Sequence, residues 1–190
     1  MRYFKSVMLI LVVFFLAACG EDIETNMSEN VADFDFTTQD KGNLSLDDLE
    51  GEWWVADFIF TNCTTVCLPM TSNMSVLQDK MKEEELDAQL VSFSVDPDYD
   101  TPEVLQEYAD DYDADLDNWT FLTGYDFQTI KELSIKSFRS MLAEAQPGDD
   151  QVTHGVSFFL VNPEGKVIKK YDGRDQKEMD NIIEDLKIVL

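Results

Sequence analysis

The sequence predicts an α/β fold, in which helices cover both faces of a central sheet. Two observations predict this class. Residues 53–60 and 90–95 form nearly continuous apolar runs, which are typical of strands buried on both faces of a sheet. Segments with apolar residues at helical spacing, such as Met70, Met74 and Met81, alternate with these runs. A chain of 190 residues with this pattern is expected to form one compact domain with a terminal extension.

The segment before the first apolar run predicts a β-hairpin. Phe34 and Phe36 occupy alternate positions of a short strand, and residues 41–43 carry a turn signal. Residues 44–46 are expected to return as the second strand. A short helix is expected within residues 45–51, because acidic residues follow a serine at its start and a glycine ends it.

The elements after the second apolar run complete the fold. Thr101 and Pro102 predict a helix start, with the threonine as the cap and the proline at the first helical position. The further elements are a strand at 119–122, a helix at 127–142, a polar loop at 144–151, a hairpin with strands at 156–161 and 167–171, and a final helix at 177–190. This order predicts a thioredoxin-like fold, which is a central mixed sheet flanked by helices, here with an N-terminal β-hairpin.

The charge balance excludes several classes of partner. The chain has 14 Lys and Arg residues against 39 Asp and Glu residues, a formal net charge of −25. Nucleic acid is therefore not an expected partner, because phosphate binding requires a basic surface. Adsorption to an anionic lipid surface is disfavoured for the same reason.

The first residues predict a secretory signal peptide. Arg2 and Lys5 form a short positive region, and an uncharged apolar run extends over residues 7–18. Those twelve residues are fewer than the roughly 20 that a membrane-spanning helix needs. The segment is therefore interpreted as a leader that is removed from the mature protein.

The end of this leader, Leu16-Ala17-Ala18-Cys19, resembles the bacterial lipobox. The resemblance implies cleavage before Cys19 and lipidation of its sulfur, and the alternative is a plain signal cleaved at a small-residue site. We predict a signal peptide at 1–18, an acidic tether at 19–30 and the folded domain at 31–190. The acyl chains would hold that domain at the outer face of the cell membrane.

Cys63 and Cys67 lie between the first buried strand and the following helix. The carboxyl end of a strand is where α/β folds place their functional sites. Residues four apart in a first helical turn are about 5–6 Å apart, close enough for a disulfide or for two thiolates to share a metal ion. A helix N-terminus also stabilises thiolate over thiol. The alternative is an inert disulfide, which would stabilise little because it closes a very small loop.

The chain resembles the Sco/SenC family from about Phe34 to its C-terminus. The motifs that carry the resemblance are Phe58-Ile59-Phe60-Thr61-Asn62-Cys63 through Cys67, Phe93-Ser94-Val95-Asp96-Pro97 with Asp100-Thr101-Pro102, and His154 before Phe158-Phe159-Leu160-Val161 and Asn162-Pro163-Glu164-Gly165. One departure is Leu68, where the family usually has proline, and Pro69 follows one residue later.

The resemblance implies that Cys63, Cys67 and His154 bind copper, and that the protein serves assembly of the CuA centre of cytochrome c oxidase. Two thiolates and one imidazole are a soft, incomplete ligand set, which favours Cu(I) and with a further ligand can also hold Cu(II). Structural zinc would require a fourth closed ligand, for which the sequence offers no additional thiol or imidazole. His154 is the only histidine, and it can reach the cysteines if the strand after it runs antiparallel to the first buried strand.

Two acidic residues have open roles at this stage. Asp96 follows a buried strand, and by resemblance it is an acid that supports the copper ligands from behind or a weak ligand near the copper. Its alternative role is that of a turn aspartate. Asp57 lies within the first buried strand and is interpreted as an acid that is paired or reaches water at a strand edge.

The favoured function is therefore that of a membrane-anchored copper chaperone rather than an enzyme, with subunit II of cytochrome c oxidase as partner and an unknown copper donor. The alternative is a thiol–disulfide oxidoreductase that uses Cys63 and Cys67, as a redox-active pair, to reduce the cysteines of the oxidase copper site. That alternative does not need His154. A peroxidase-like role on the same fold is a third hypothesis, and no feature of the sequence demands it.

Overall fold

The computed structural model describes residues 23–62, 67–145 and 151–190, and it describes Cys67 and Leu68 by their backbone alone. The predicted signal peptide, Cys19 and Cys63 lie outside the described residues. The strands in the described part are β1 (Glu29–Asn30), β2 (Asp35–Thr38), β3 (Asn43–Ser45), β4 (Trp54–Ile59), β5 (Gln89–Ser94), β6 (Trp119–Thr123), β7 (Leu142–Ala143), β8 (Thr153–His154), β9 (Ser157–Val161) and β10 (Lys166–Asp172). The helices are α1 (Cys67–Glu83), α2 (Pro102–Asp111), α3 (Phe127–Phe138) and α4 (Lys177–Val189), with a 3₁₀ turn at Asp47–Leu49.

Eight of these strands form one mixed sheet in the order β1-β10-β9-β4-β5-β6-β2-β3. Strands β4, β5 and β6 are parallel, whereas β9 runs antiparallel to β4 and β2 runs antiparallel to β6. Strands β2 and β3 form the N-terminal hairpin. The predicted fold class is confirmed, because a mixed sheet flanked by helices is the thioredoxin-like arrangement.

Strand β4 supplies the centre of the hydrophobic core on both faces of the sheet. All six of its residues are buried. Phe58 packs on one face, where its ring lies within 5.3 to 6.2 Å of the rings of Phe93, Phe138 and Phe159. Ile59 packs on the other face with the methionines of α1. This two-sided burial explains why the sequence of the strand is a continuous apolar run rather than an alternating one.

Helix α3 ends four residues earlier than the sequence predicts. Arg139 adopts the left-handed conformation with φ of 48°, and its backbone N–H donates to the carbonyl of Ser134. The apolar pattern nevertheless extends to Leu142, because that residue is buried in β7 instead of in the helix. The pairing of β7 with β8 forms a separate two-stranded sheet that the sequence did not predict.

The predicted tether, residues 19–30, differs from the structure at its C-terminal end. Asn26 and Met27 both donate backbone N–H groups to the carbonyl of Ile168, and Glu29–Asn30 forms β1 against β10. Strand β10 would otherwise present unpaired backbone groups at the sheet edge, and β1 satisfies them. The ordered domain therefore begins before Val31. In the described residues, no helix has the length and hydropathy needed to cross a bilayer.

Candidate copper and thiol site

The parallel strands bring several polar segments to one edge of the sheet. Ile59, the last residue of β4, is paired with Ser94, the last residue of β5, and the Val95 N–H donates to the Ile59 carbonyl at 2.8 Å. The chain continues from β4 towards Cys63 and from β5 towards Asp96. Asp96 therefore lies at the same sheet edge as the start of the cysteine segment, as the sequence predicts.

Cys67 is the first residue of α1. The structure describes α1 from Cys67 onward, whereas residues 63–66 and the side chain of Cys67 lie outside the described residues, so the position of the cysteine pair at the helix start stays a prediction. Pro69 is the third residue of the described part of α1. The aligned peptide dipoles at this end favour a negatively charged sulfur.

His154 reaches the same sheet edge from the opposite direction. Its strand β8 leads into β9, which runs antiparallel to β4 as the sequence predicts. The imidazole packs edge-on against the ring of Phe60, with 5.7 Å between the ring centroids. The amide of Gln151 donates to the carbonyl of Asn62 at 3.1 Å and joins the two chain segments. Phe60 and Asn62 immediately precede Cys63, so His154 lies beside the chain that leads into the cysteine pair.

The tautomer of His154 follows from one hydrogen bond. Nδ1 lies 2.8 Å from the backbone carbonyl oxygen of Gly155. A carbonyl oxygen can only accept, so Nδ1 carries the proton and the neutral ring has its lone pair on Nε2. The side chain is also 93% buried, with a relative exposure of 7%. Nε2 is therefore the nitrogen that could bind a metal ion, and the ring is oriented before any metal arrives.

Gly155, the residue after His154, contacts the segment that pairs with β8. The Gly155 N–H donates to the Met141 carbonyl at 2.9 Å, which extends the β7–β8 pairing. A Cβ atom at Gly155 would collide with the hydroxyl of Ser140. A side chain at this position would therefore require the Ser140 hydroxyl to move, beside the carbonyl that holds the imidazole.

Asp57 is paired with Ser92, which agrees with the first of its two sequence interpretations and not with the second. The residue is fully buried in a central strand, so it does not reach water at a strand edge. Ser92 donates its hydroxyl to Oδ1 at 2.6 Å, and Trp119 donates its indole N–H to that same hydroxyl at 2.9 Å. Oδ2 has no hydrogen-bond partner among the described residues. Burial raises the pKa of Asp57 to about 7, and the Ser92 hydrogen bond only partly opposes this.

Asp100 is a buried acid at this edge that was not identified as a site residue from the sequence. Its carboxylate accepts from the hydroxyl of Thr61 at 2.6 Å and from the hydroxyl of Ser94 at 2.5 Å. Burial raises its pKa, while these hydrogen bonds lower it. The available signal was the spacing in Asp96-Pro97-Asp98-Tyr99-Asp100, which places a second acid just before the cap of α2.

The donor set can be compared with the requirements of a metal ion. In the part of the chain that the structure describes, no group of three or more His, Cys, Asp or Glu side chains could hold a metal. The sequence adds the sulfurs of Cys63 and Cys67 as further donors, and their side chains lie outside the described residues. Thiolates together with an imidazole Nε2 match the preferences of copper.

The fold and this sheet edge define a thioredoxin-like protein with a CxxxC segment between β4 and α1. Residues 23–190 match SCO1/SenC, and the chain belongs to this family. It is 46% identical over 188 residues to the SCO1 protein homolog of Bacillus subtilis, an overlap that covers 98% of this chain and 97% of that protein.

Solved structures resemble the chain closely. A SCO1/SenC family lipoprotein from Bacillus anthracis has a TM-score of 0.81 and 44% identity, covering 86% of this chain and 98% of that one. BsSco, a member of the Sco family of cytochrome c oxidase assembly proteins in which a disulfide switch has been identified, has a TM-score of 0.78 and 47% identity, covering 86% and 94%. Arabidopsis thaliana ScoI with copper bound shares the fold, with a TM-score of 0.70 and 24% identity over 83% of this chain and 96% of that one.

The buried carboxyl of Asp57 predicts a pH-dependent stability. The folded chain retains this proton up to about pH 7, whereas an unfolded chain loses it near 3.8. Between these values the folded state binds one proton more, so stability falls as pH rises. We expect the free energy of unfolding of Asp57→Asn to fall less steeply over this range than that of the wild type, by about 1.4 kcal/mol per pH unit.

Denaturant unfolding at several pH values measures both slopes, and Asp87→Asn, at an exposed position, is the matched control. Equal slopes for Asp57→Asn and wild type would contradict the assignment.

The close approach at Gly155 predicts a displaced imidazole in Gly155→Ala. Because His154 is the only histidine, its ring protons give one identifiable set of NMR signals in untagged protein. We expect these signals to shift or broaden in Gly155→Ala. They should return towards their wild-type positions in Gly155→Ala combined with Ser140→Ala, because the nearest remaining Ser140 atom is then the Cβ at 3.5 Å. Unchanged signals in the single variant would show that the close approach does not position the ring.

Proposed function

We propose that this protein is a membrane-anchored, extracytoplasmic copper protein that helps to assemble or load the CuA centre of cytochrome c oxidase. In this proposal Cys63, Cys67 and His154 hold the copper ion, and subunit II of the oxidase is the partner. The observation that carries the proposal is the preset imidazole of His154 beside the chain that leads into the cysteine pair. The copper bound to the Arabidopsis relative supports the same choice of metal.

Each part of the proposed site has a separate task. The N-terminus of α1 favours the thiolate form of the cysteines, which is the form that binds a soft metal. The Gly155 carbonyl accepts from Nδ1 of His154, which leaves Nε2 as the ring nitrogen that could bind the copper ion. The aromatic ring of Phe60 covers one side of the imidazole and limits water there. Copper, when bound, supplies the ion that is delivered to the oxidase.

The redox state of the cysteines controls this binding. A disulfide between Cys63 and Cys67 would remove both thiolates, so copper can bind only to the reduced pair. The second candidate function is therefore thiol–disulfide exchange with the cysteines of the oxidase copper site. The disulfide switch identified in BsSco favours this candidate, because that protein shares 47% identity with the chain. The two functions differ in their need for His154.

We expect the reduced protein without residues 1–19 to bind one equivalent of copper in an anaerobic titration. Bound Cu(II) should give thiolate-to-copper charge transfer in the visible spectrum. His154→Ala should weaken binding by at least about tenfold, equivalent to about 1.4 kcal/mol, and Cys63→Ser or Cys67→Ser should abolish the charge-transfer band. Asp98→Asn, an exposed substitution at the same sheet edge, is the control and should bind like the wild type.

Two results of this titration distinguish the candidate functions. If wild type and His154→Ala bind copper equally poorly, the copper proposal fails. If His154→Ala also reduces a model disulfide at the wild-type rate, the cysteine pair acts as a reductant without the imidazole. A loss of copper affinity in His154→Ala with reductase activity preserved would separate the two roles within one site.

Anchoring through Cys19 is tested separately in bacterial cells that express the full chain. We expect incorporation of labelled palmitate and recovery in the membrane fraction, both lost in Cys19→Ala. Cys67→Ala is the matched control, because it removes a different cysteine and should leave labelling unchanged. Equal labelling of wild type and Cys19→Ala would contradict lipidation at this residue.

A further inference from the structure

We propose that Asp100 is the positioning residue of this site, because its buried carboxylate fixes the chain that leads into the cysteines relative to the Asp96 turn. The effect on copper rests on the proposed function, whereas the effect on the chain segments does not. Asp100 is not among the predicted ligands, and it contacts the site only through Thr61 and Ser94.

The carboxylate joins three segments that are distant in sequence or in separate elements. Thr61, between β4 and α1, donates its hydroxyl to Oδ1 at 2.6 Å and its backbone N–H to the two oxygens at 3.3 Å. Ser94, at the end of β5, donates its hydroxyl to Oδ2 at 2.5 Å. The backbone N–H of Asp100 donates to the carbonyl of Asp96 at 2.9 Å and closes the turn between them.

Ser94 transmits this arrangement to Asp96. The Ser94 hydroxyl gives its only proton to Asp100, so its oxygen is oriented to accept the backbone N–H of Asp96 at 3.1 Å. The backbone N–H of Asp96 is therefore linked to Asp100 through the Ser94 hydroxyl, and the carbonyl of Asp96 accepts directly from the Asp100 N–H. One carboxylate therefore sets the position of the Asp96 backbone as well as that of Thr61.

The chemistry of these contacts requires a carboxylate. All the side-chain and backbone groups that face the two oxygens are donors, and Asp100 is fully buried. In Asp100→Asn one acceptor oxygen becomes an NH₂ group, which cannot accept from a hydroxyl or an N–H. The hydroxyl of Thr61 or Ser94 that faces this NH₂ group must then accept from it, so the proton of that hydroxyl loses its acceptor, and a buried donor left unpaired is costly.

The contacts of the Asp100 carboxylate hold a residue that is close in sequence to the first cysteine. Thr61 is two residues before Cys63, and Cys67 begins α1. Because only Asn62 separates Thr61 from Cys63 in the sequence, a shift of Thr61 is expected to shift Cys63 as well. A displacement of about 1 Å is enough to weaken a site that depends on exact geometry.

The test compares Asp100→Asn with three other variants of the protein lacking residues 1–19, which keeps every described element. Asp98→Asn changes an exposed acid of the same turn and controls for charge. Thr61→Val removes the hydroxyl but keeps the backbone N–H, and Thr61→Ser keeps both donors. The readouts are amide hydrogen exchange along the chain, the affinity for Cu(I) and the charge-transfer band of bound Cu(II).

We expect exchange of the peptides that span residues 60–67 and 94–100 to accelerate at least tenfold in Asp100→Asn, while amides of α4 stay at wild-type rates. Copper should bind at least tenfold more weakly, with a shifted charge-transfer band. Thr61→Val should show a smaller change in the same direction, and Thr61→Ser and Asp98→Asn should match the wild type.

Three results would overturn the inference. The first is unchanged exchange at residues 60–67 in Asp100→Asn, and the second is acceleration that is uniform over the whole chain, which indicates general destabilisation. The third is wild-type copper affinity and an unshifted band in Asp100→Asn. If the wild type itself binds no copper, the proposed function fails, and the exchange pattern alone still decides whether Asp100 holds these segments.

Discussion

The burial of β4 on both faces is the constraint on which the rest of the structure depends. A strand with six buried residues needs a neighbour on each side and helices above and below. Its parallel neighbour β5 must end at the same sheet edge as β4 does, and its antiparallel neighbour β9 must begin there. The cysteine segment, Asp96 and His154 therefore converge because of how the core is built. The packing of the core, rather than the polar residues themselves, brings these segments to one edge of the sheet.

The fold was predictable because its strongest signals are local. Continuous apolar runs identified β4 and β5, and the capping residues Thr101 and Pro102 correctly marked the start of α2. The errors occur where tertiary contacts decide the outcome. Leu142 continues a helical pattern but is buried in a two-residue strand, and the left-handed Arg139 that ends α3 has no sequence signature. Strand β1 forms because β10 has an exposed edge, a fact that its own two residues do not reveal.

The candidate site also combines features that local sequence signals predict with features that only distant contacts determine. Spacing and chain order were enough to bring Cys67, His154 and Asp96 to one edge of the sheet. The roles of Asp57 and Asp100 depend on partners 35 and 39 residues away, Ser92 and Thr61, and no local pattern encodes such pairs. Both acids are fully buried, but they are satisfied differently. The oxygens of Asp100 accept from Thr61 and Ser94, whereas Asp57 has one oxygen without a partner in the described residues, and its pKa is raised to about 7.

The separate β7–β8 sheet has a consequence for how relatives of this chain should be compared. His154 is held by its pairing with Leu142 and by Gly155 against Met141, so its location is independent of the number of residues that connect the two strands. The entropic cost of lengthening such a connection grows only slowly. Insertions and deletions between Ala143 and Thr153 are therefore the length changes that evolution can accept at this site. An alignment that counts residues from the cysteines will misplace the histidine in such relatives, whereas one anchored on the strand pair will find it.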